Sequence, residues 1–259
     1  MAASGKIHDS PPDFRLDHSE TSSIDLLSPE SSSVRVAHLC RSHPRGYLVD
    51  LRKLLAERFP HAPVSAATRL ITGLSFLDQA IGGGLPKGAI TELISQRPSA
   101  GSASIIQALL QAALGGRYFL ALVDGRDSFD PQPLGNTQLG NLLWIRCTTA
   151  LEAIKATDLL LRDGNFPLVI VDLVLNAADE LRKLPQTNWY RLQRLVEPTS
   201  TACLVLTRQS MVSSAQLKIL LENSWTLEIF EETDAISRVK IRVQRSHLHQ
   251  LENERAEAN

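Results

Sequence analysis

The sequence predicts an α/β fold with a mostly parallel sheet that is covered by helices on both faces. Continuously apolar runs such as Leu168–Val171 alternate with amphipathic segments such as Ala150–Leu161. Parallel strands buried on both faces have this continuous apolar character, and helical crossovers connect them. The chain has 259 residues, 43% of them apolar, which is enough for one such domain with a sizeable core.

Each element is predicted from its local pattern, in chain order. Strands are predicted where short apolar runs meet turn-forming residues, at Ala89–Ile94, Tyr118–Val123, Leu142–Cys147, Leu168–Val171 and Ala202–Leu206. Helices are predicted from apolar spacing at Gly46–Phe59, Ser102–Leu114, Ala150–Leu161 and Trp189–Val196. Two C-terminal segments, Ser224–Phe230 and Ile236–Val243, flank a turn and are expected to form antiparallel strands at the sheet edge.

Composition divides the chain into four parts. Residues 1–33 carry nine Ser and a net charge of −4, which predicts a disordered acidic tail. Residues 34–70 are predicted to be a basic helical segment with a linker, residues 71–246 the core, and residues 247–259 a polar tail. The formal net charge of the whole chain is −1, which excludes a histone-like polycation.

The sequence favours a cytoplasmic protein, with association with the nucleoid as an alternative. No apolar run is long enough to span a membrane, and no basic start followed by an apolar stretch indicates a secretory signal. Cys40, Cys147 and Cys203 are odd in number and widely spaced, which is typical of reduced thiols. We expect Cys147 and Cys203 to be core residues, because both lie in or beside apolar runs.

A loop of small residues between the strand Ala89–Ile94 and the next helix has the layout of a phosphate-binding loop. Such a loop requires Gly, four residues, Gly, Lys and then Ser or Thr. Anchored on Gly101, the sequence has Gln96 at the first glycine, Ser102 at the lysine and Ala103 at the Mg²⁺-binding hydroxyl. The loop therefore lacks the cation and the hydroxyl that a nucleoside triphosphate with Mg²⁺ requires.

Two later strands are followed directly by acids, Asp124 and Asp172. The apolar run Leu168–Val171 ending in Asp172 has the form of a strand whose terminal acid supports Mg²⁺ in many nucleotide-binding proteins. An acid at this position, Asp172, also commonly caps the next helix. Both interpretations are open from the sequence alone.

Three stretches resemble the RecA family. Thr72-Gly73 with Leu77-Asp78, followed by the run Gly82–Glu92, is similar to the entry into the RecA core. Asp124–Pro131 is similar to a later family element, and the resemblance covers roughly residues 70–230. It implies a RecA-like P-loop NTPase core.

The departures from the family pattern concern catalysis. Arg126 stands where the family's water-orienting Glu is expected, and Arg208 stands at the family's polar sensor. The resemblance thus implies a remnant of a nucleotide site at Gly101, Ser102, Ala103, Asp124, Arg126, Asp172 and Arg208. It implies no catalytic residue and no cofactor; ATP and Mg²⁺ are expected only if the chain is an ATPase after all.

Among degenerate RecA-like cores, the chain resembles the ImuA family, which is grouped with SulA-like proteins. The segment Leu51–Leu55 is similar to the basic helix that opens those chains. The resemblance implies an accessory protein of SOS translesion synthesis, with a Y-family polymerase-like protein, an error-prone polymerase and RecA as partners. Two alternatives stay open: a weak ATPase completed in trans or by Lys87, and a cell-division inhibitor that binds a cytoskeletal GTPase.

Basic residues mark candidate contacts with single-stranded DNA or a protein partner: Arg52, Lys53, Arg58, Arg182, Lys183, Arg191 and Arg194, with Trp189 for stacking. For the segment 182–194, the competing interpretation is an amphipathic helix that buries Trp189. A Cys-x₂-His pair, Cys40 and His43, has no second pair at zinc-finger spacing, so we expect no metal site.

Overall fold

A computed structural model describes residues 35–38, 68–97, 100–132, 139–223 and 235–246. The strands are β1 (Arg35–His38), β2 (Arg69–Leu70), β3 (Leu85–Pro86), β4 (Ala89–Ile94), β5 (Leu120–Asp124), β6 (Leu142–Arg146), β7 (Leu168–Asp172), β8 (Ala202–Thr207), β9 (Leu217–Leu221) and β10 (Ile241–Ser246). The α-helices are α1 (Ser75–Ala80), α2 (Ser102–Gly115), α3 (Ala150–Asp163), α4 (Ala178–Arg182) and α5 (Gln186–Val196). A 3₁₀ turn at Ala235–Arg238 precedes β10.

Eight strands form the main sheet in the order β1-β6-β5-β7-β8-β4-β9-β10. All neighbouring pairs are parallel except β9 and β10, which are antiparallel. The two remaining strands, β2 and β3, pair with each other in a separate small sheet. The predicted α/β class, with a mostly parallel sheet and an antiparallel C-terminal edge, is confirmed.

The core consists of two apolar layers, one on each face of the sheet. Along β7, Leu168 and Ile170 join the layer that contains α2, whereas Val169 and Val171 join the layer that contains α3 and α5. Side chains alternate between the faces of a strand, so a strand that is apolar throughout must be covered on both sides. Helices on both faces therefore follow directly from the apolar runs.

Two predictions about the edges of the sheet need correction. The expected strand Ile236–Val243 begins only at Ile241, after the 3₁₀ turn, and its antiparallel partner is β9. The predicted partner strand Ser224–Phe230 lies outside the described residues. At the other edge, β1 pairs with β6, so part of the 34–70 segment belongs to the sheet of the core.

Several predictions lie outside the described residues, among them the tail 1–33, the helix Gly46–Phe59 and the C-terminal tail 247–259. Cys147 and Cys203 are buried and free, as expected for core residues. Burial raises the pKa of both thiols to about 12, so neither is a reactive thiolate at neutral pH. None of the helices in the described ranges combines the length and the apolar character needed to cross a bilayer.

Candidate functional site at the carboxyl edge of the sheet

The loop after β4 ends at Gly101, which is the N-cap of α2 and has φ 95°. This left-handed backbone is accessible to glycine at little cost, which explains the glycine at this turn. Directly before it, the carbonyl of buried Ala100 accepts a hydrogen bond from Asn223 Nδ2 at 3.3 Å. Ser102 and Ala103 open the helix without a charged side chain, so the first turn of α2 carries no cation.

Asp124 organises its own loop. Its carboxylate is 1% exposed and accepts hydrogen bonds from the backbone N–H groups of Ser128 and Phe129, both at 2.8 Å. It also accepts from the N–H of Arg126 at 3.2 Å and from Trp144 Nε1 at 3.4 Å. These hydrogen bonds make Asp124 the cap of the loop that follows β5.

Asp172 lies beside Asp124, because the two are register partners on β7 and β5. The Asp172 carboxyl is half-buried, and one oxygen accepts from the N–H of Val174 at 3.0 Å. Burial raises the pKa of Asp172 to about 6, and the neighbouring charge of Asp124 adds to this effect. Of the two acids, Asp172 has the carboxylate that is less engaged by the backbone.

Arg126 is directed away from β7. Its Nη1 donates to the carbonyl of Thr148 at 3.1 Å, in the segment that follows β6. Because β6 lies on the side of β5 opposite to β7, this guanidinium does not take the place of a water-orienting Glu. Arg208 follows β8 directly and is exposed.

A hydrogen-bond network that the sequence analysis missed ties three of these loops together. Asn176 Nδ2 donates to the carbonyl of Gly125 at 2.9 Å and to Glu180 Oε2 at 3.3 Å. The other oxygen of Glu180 accepts from the N–H of Ala150 at the start of α3. A Cβ on Gly125 would lie 2.4 Å from Asn176 Oδ1 and 2.8 Å from the carbonyl of Asp172, so only glycine allows this close approach.

A buried ion pair is the second feature that the sequence analysis missed. Glu92 on β4 is fully buried, and its Oε2 lies 2.7 Å from Lys218 Nζ on β9. Glu92 Oε1 accepts from the N–H groups of Met211 and Val212 at 2.7 and 3.0 Å. A single acid in an otherwise buried strand was the available signal, because such an acid needs a partner.

Lys87 is remote from the phosphate-like loop. It precedes β4, whereas the loop follows β4, and the six residues of this strand span about 20 Å. Burial lowers the pKa of Lys87, which is held at the amino edge of the sheet. Lys87 of the same molecule therefore does not supply the missing cation, and that alternative is wrong.

The motif that resembles the RecA entry has a structural explanation. Asp78 accepts hydrogen bonds from the N–H and hydroxyl of Thr72 and from the N–H of Gly73, at 2.8 to 3.2 Å. In the glycine run, Gly84 has φ 119°, and a Cβ there would lie 2.3 Å from the carbonyl of Leu70. Arg69 closes the same turn by donating to the carbonyl of Ile81 at 2.9 Å.

The basic segment before β8 contains an amphipathic helix. Trp189 is fully buried in α5, so it is not available for base stacking, and that candidate contact is corrected. Arg191 pairs with Asp158 at 2.6 Å, and Arg182 pairs with Asp179. Lys183 and Arg194 are exposed and form no ion pair with any described residue.

The candidate contacts Arg52, Lys53 and Arg58 lie outside the described residues, as do Cys40 and His43. In the ranges that the structure describes, no group of three or more His, Cys, Asp or Glu side chains is arranged to hold a metal ion. The side chains at the carboxyl edge do not fit a nucleoside triphosphate with Mg²⁺, because Asp124 is engaged by backbone amides and Ser102 replaces the lysine.

Comparison with known proteins finds RecA from several bacteria. The chain is 35% identical over 115 residues to RecA from Acinetobacter baumannii, which covers 43% of this chain and 32% of the relative. It is 30% identical over 159 residues to RecA from Brucella anthropi, covering 60% of this chain and 41% of the relative. RecA from Xylella fastidiosa is 30% identical over 114 residues, covering 43% of this chain and 33% of the relative.

The chain spans about a third to two fifths of the length of the curated relatives it matches. No protein-family model matches the chain. The partial similarity, together with the mostly parallel sheet, supports a RecA-like relationship.

Proposed function

We propose that this chain is a non-catalytic RecA-like accessory protein in DNA damage tolerance, of the translesion-synthesis type that the ImuA resemblance implies. It acts through contacts with a Y-family polymerase-like protein and an error-prone polymerase. RecA and single-stranded DNA are further candidate partners. The similarity to RecA supports a role connected with DNA repair, and the finer assignment is a proposal.

One observation carries the non-catalytic part of this proposal. The carboxylate of Asp124, a member of the expected nucleotide-site remnant, accepts two short backbone hydrogen bonds and caps its own loop. Phosphoryl transfer depends on positioned cations and on groups that orient the nucleophile. With Ser102 in place of the lysine and Arg126 bound to a backbone carbonyl, the described residues supply neither.

The competing hypothesis is a weak ATPase completed in trans, and the half-buried Asp172 favours it most. Among the residues that the structure describes, only the N–H of Val174 donates to its carboxylate. A neighbouring molecule that supplied a lysine would leave Asp172 as the acid that supports the metal. Lys87 of the same chain is excluded by its place at the other edge of the sheet.

Thermal unfolding with and without millimolar ATP and Mg²⁺ separates the two hypotheses. A ligand that binds the folded state raises the temperature midpoint of unfolding. Because the proposed function involves no nucleotide, we expect ATP and Mg²⁺ to leave this midpoint unchanged. ATP hydrolysis that is stimulated by DNA and abolished by Asp172→Ala would overturn the proposal. For the partner, we expect the purified chain to bind the Y-family polymerase-like protein and not the cytoskeletal GTPase of cell division.

A further inference from the structure

Five loops at the carboxyl edge of the sheet expose a mixed basic and apolar surface. The loops follow β6, β5, β7, β8 and β4, which are consecutive neighbours in the sheet. In that order these loops, with the first turn of α3 after β6, expose Leu151, Arg126, Leu175, Arg208 and Arg97, which together we name the carboxyl-edge surface. Neighbouring strands lie about 4.8 Å apart, so the surface extends over about 20 Å.

Backbone and side-chain hydrogen bonds connect these loops to their neighbours. The N–H of Ser95 donates to the carbonyl of Thr207 at 2.7 Å, which joins the loops after β4 and β8. The N–H of Leu173 donates to the carbonyl of Leu206 at 3.0 Å and joins the loops after β7 and β8. Asn176 joins the loops after β7 and β5. The exposed side chains therefore lie on loops that are hydrogen-bonded to one another. Ordering these loops on binding costs less conformational entropy than ordering unconnected loops would.

Four acids near this edge are engaged within the chain, whereas Asp172 accepts one N–H, from Val174. Asp124 caps its loop, Glu92 pairs with Lys218, and Asp127 forms a bidentate pair with Arg146. Glu180 accepts from two nitrogens of the loop network, as described above.

The three arginines of the surface are engaged differently. Arg97 and Arg208 form no ion pair with any described residue, and among those residues the guanidinium of Arg126 donates to one backbone carbonyl, that of Thr148. Their guanidinium groups thus keep N–H donors that can bind a partner, whereas most of the nearby carboxylates already accept hydrogen bonds or form ion pairs within the chain. The surface is suited to an anionic partner.

The apolar members of the surface point to the kind of partner. Leu175 is 54% exposed and Leu151 is 46% exposed, although both are large aliphatic residues. In the sheet order, Leu175 stands between Arg126 and Arg208. Aliphatic side chains offer no flat face for stacking of nucleotide bases, which depends on aromatic groups. Guanidinium groups pair with carboxylates in a bidentate manner.

We propose that the carboxyl-edge surface binds a short acidic segment of a protein partner that carries at least one large apolar side chain. The inference rests on the proposed function, in which the chain acts through protein contacts, and it assigns those contacts to one surface. Carboxylates of the segment pair with Arg126, Arg208 and Arg97. Its apolar side chain packs on Leu175 and Leu151.

The test measures binding of three probes by fluorescence anisotropy and calorimetry. The probes are the purified Y-family polymerase-like protein, a short labelled peptide rich in Glu and Leu, and a labelled oligo-dT. The variants are Arg126→Glu/Arg208→Glu and Leu175→Ser. The controls are Arg117→Glu, an exposed arginine at the amino edge of the sheet, and Tyr190→Ser, which alters a side chain that is also 54% exposed.

We expect the double variant and Leu175→Ser each to weaken binding about tenfold or more, and both controls to bind like the wild type. Binding of the double variant should not recover at low salt, because its charges now repel the acidic segment. Leu175→Ser keeps the test informative if the double variant fails to fold, which thermal unfolding checks.

The outcomes separate the inference from the proposed function. If the wild type binds the polymerase-like protein and both variants bind it equally well, the inference is wrong and the proposed function stands. If the wild type does not bind that protein, the proposed function is wrong. The inference about the surface is then tested with the acidic peptide, and failure of the wild type to bind the peptide overturns it. If the double variant loses binding to a labelled oligo-dT instead, the surface is a nucleic-acid site and the inference is overturned.

Discussion

Glu92 on β4 and Lys218 on β9 are register partners in neighbouring parallel strands, and their side chains form a buried ion pair of 2.7 Å. The same carboxylate accepts the N–H groups of Met211 and Val212, and Lys218 donates to Ser210 at 2.8 Å. One acid thus fixes the segment between β8 and β9 to the sheet.

Glu92→Gln is expected to lower the free energy of unfolding by about 3 kcal/mol, because it leaves the ammonium group of Lys218 buried without a counter-charge. Adding Lys218→Met should restore part of this loss, since the double variant has no unpaired charge in the core. Denaturant unfolding followed by tryptophan fluorescence measures both variants.

The matched control is Arg182→Met, which removes an exposed ion pair with Asp179. Its effect should stay below about 0.5 kcal/mol, because water already solvates both charges. A loss of similar size for Glu92→Gln would mean that the buried pair does not hold the β8–β9 segment.

Asp124→Ala is expected to destabilise the protein by about 2 kcal/mol, because the partly buried backbone N–H groups of Ser128 and Phe129 lose their acceptor. The loop that follows should also become more accessible to proteases, since those two hydrogen bonds close it. Thermal unfolding and limited proteolysis measure the two effects.

Asp130→Ala is the control for Asp124→Ala. Asp130 is exposed and accepts one hydrogen bond, from the N–H of Gln132 at 2.9 Å, so its loss should matter less. Equal effects of the two substitutions would argue against Asp124 as the capping acid of the loop.

Stability should depend on pH through Asp172. Its pKa is raised from 3.8 to about 6 in the folded state, so the folded protein holds this proton more tightly than the unfolded chain. The contribution of Asp172 to stability is therefore greatest below pH 3.8 and falls as the pH rises through about 6.

Asp172→Asn removes this titration. At pH 7 we expect the variant to be more stable than the wild type by about 2 kcal/mol, with a smaller difference near pH 4. Denaturant unfolding between these two values measures the difference. A difference that does not change with pH would show that Asp172 does not titrate in this range.

Most of the sheet was predictable because its central strands are largely apolar. Ala89–Ile94 was predicted with its observed bounds, and Leu168–Val171 differs by one residue. β9 was missed because Lys218 interrupts its short apolar run. Only Glu92, distant in sequence and adjacent in space, makes that lysine compatible with a buried strand.

The candidate site was predictable in position and less so in detail. The sequence placed Asp124 and Asp172 at strand ends, and parallel strands bring such ends to one edge. It did not show that Asp124 bonds to its own loop, nor that Asn176 approaches Gly125, because both depend on loop conformation. For Trp189, the sequence predicted the helix but left open whether the side chain is buried, and the structure shows that it is.

Gly84→Ala is expected to be strongly destabilising, by about 3 kcal/mol or more, because two effects add. The backbone at Gly84 has φ 119°, which L-residues rarely adopt, and a Cβ would lie 2.3 Å from the carbonyl of Leu70. Gly115→Ala is the matched control in the last position of α2, where a Cβ would meet no atom within 4 Å. Alanine there should stabilise the protein by about 0.5 kcal/mol, since it loses less backbone entropy on folding. Thermal unfolding compares the two variants, and a similar stability for both would show that the backbone of the glycine run can relax away from Leu70.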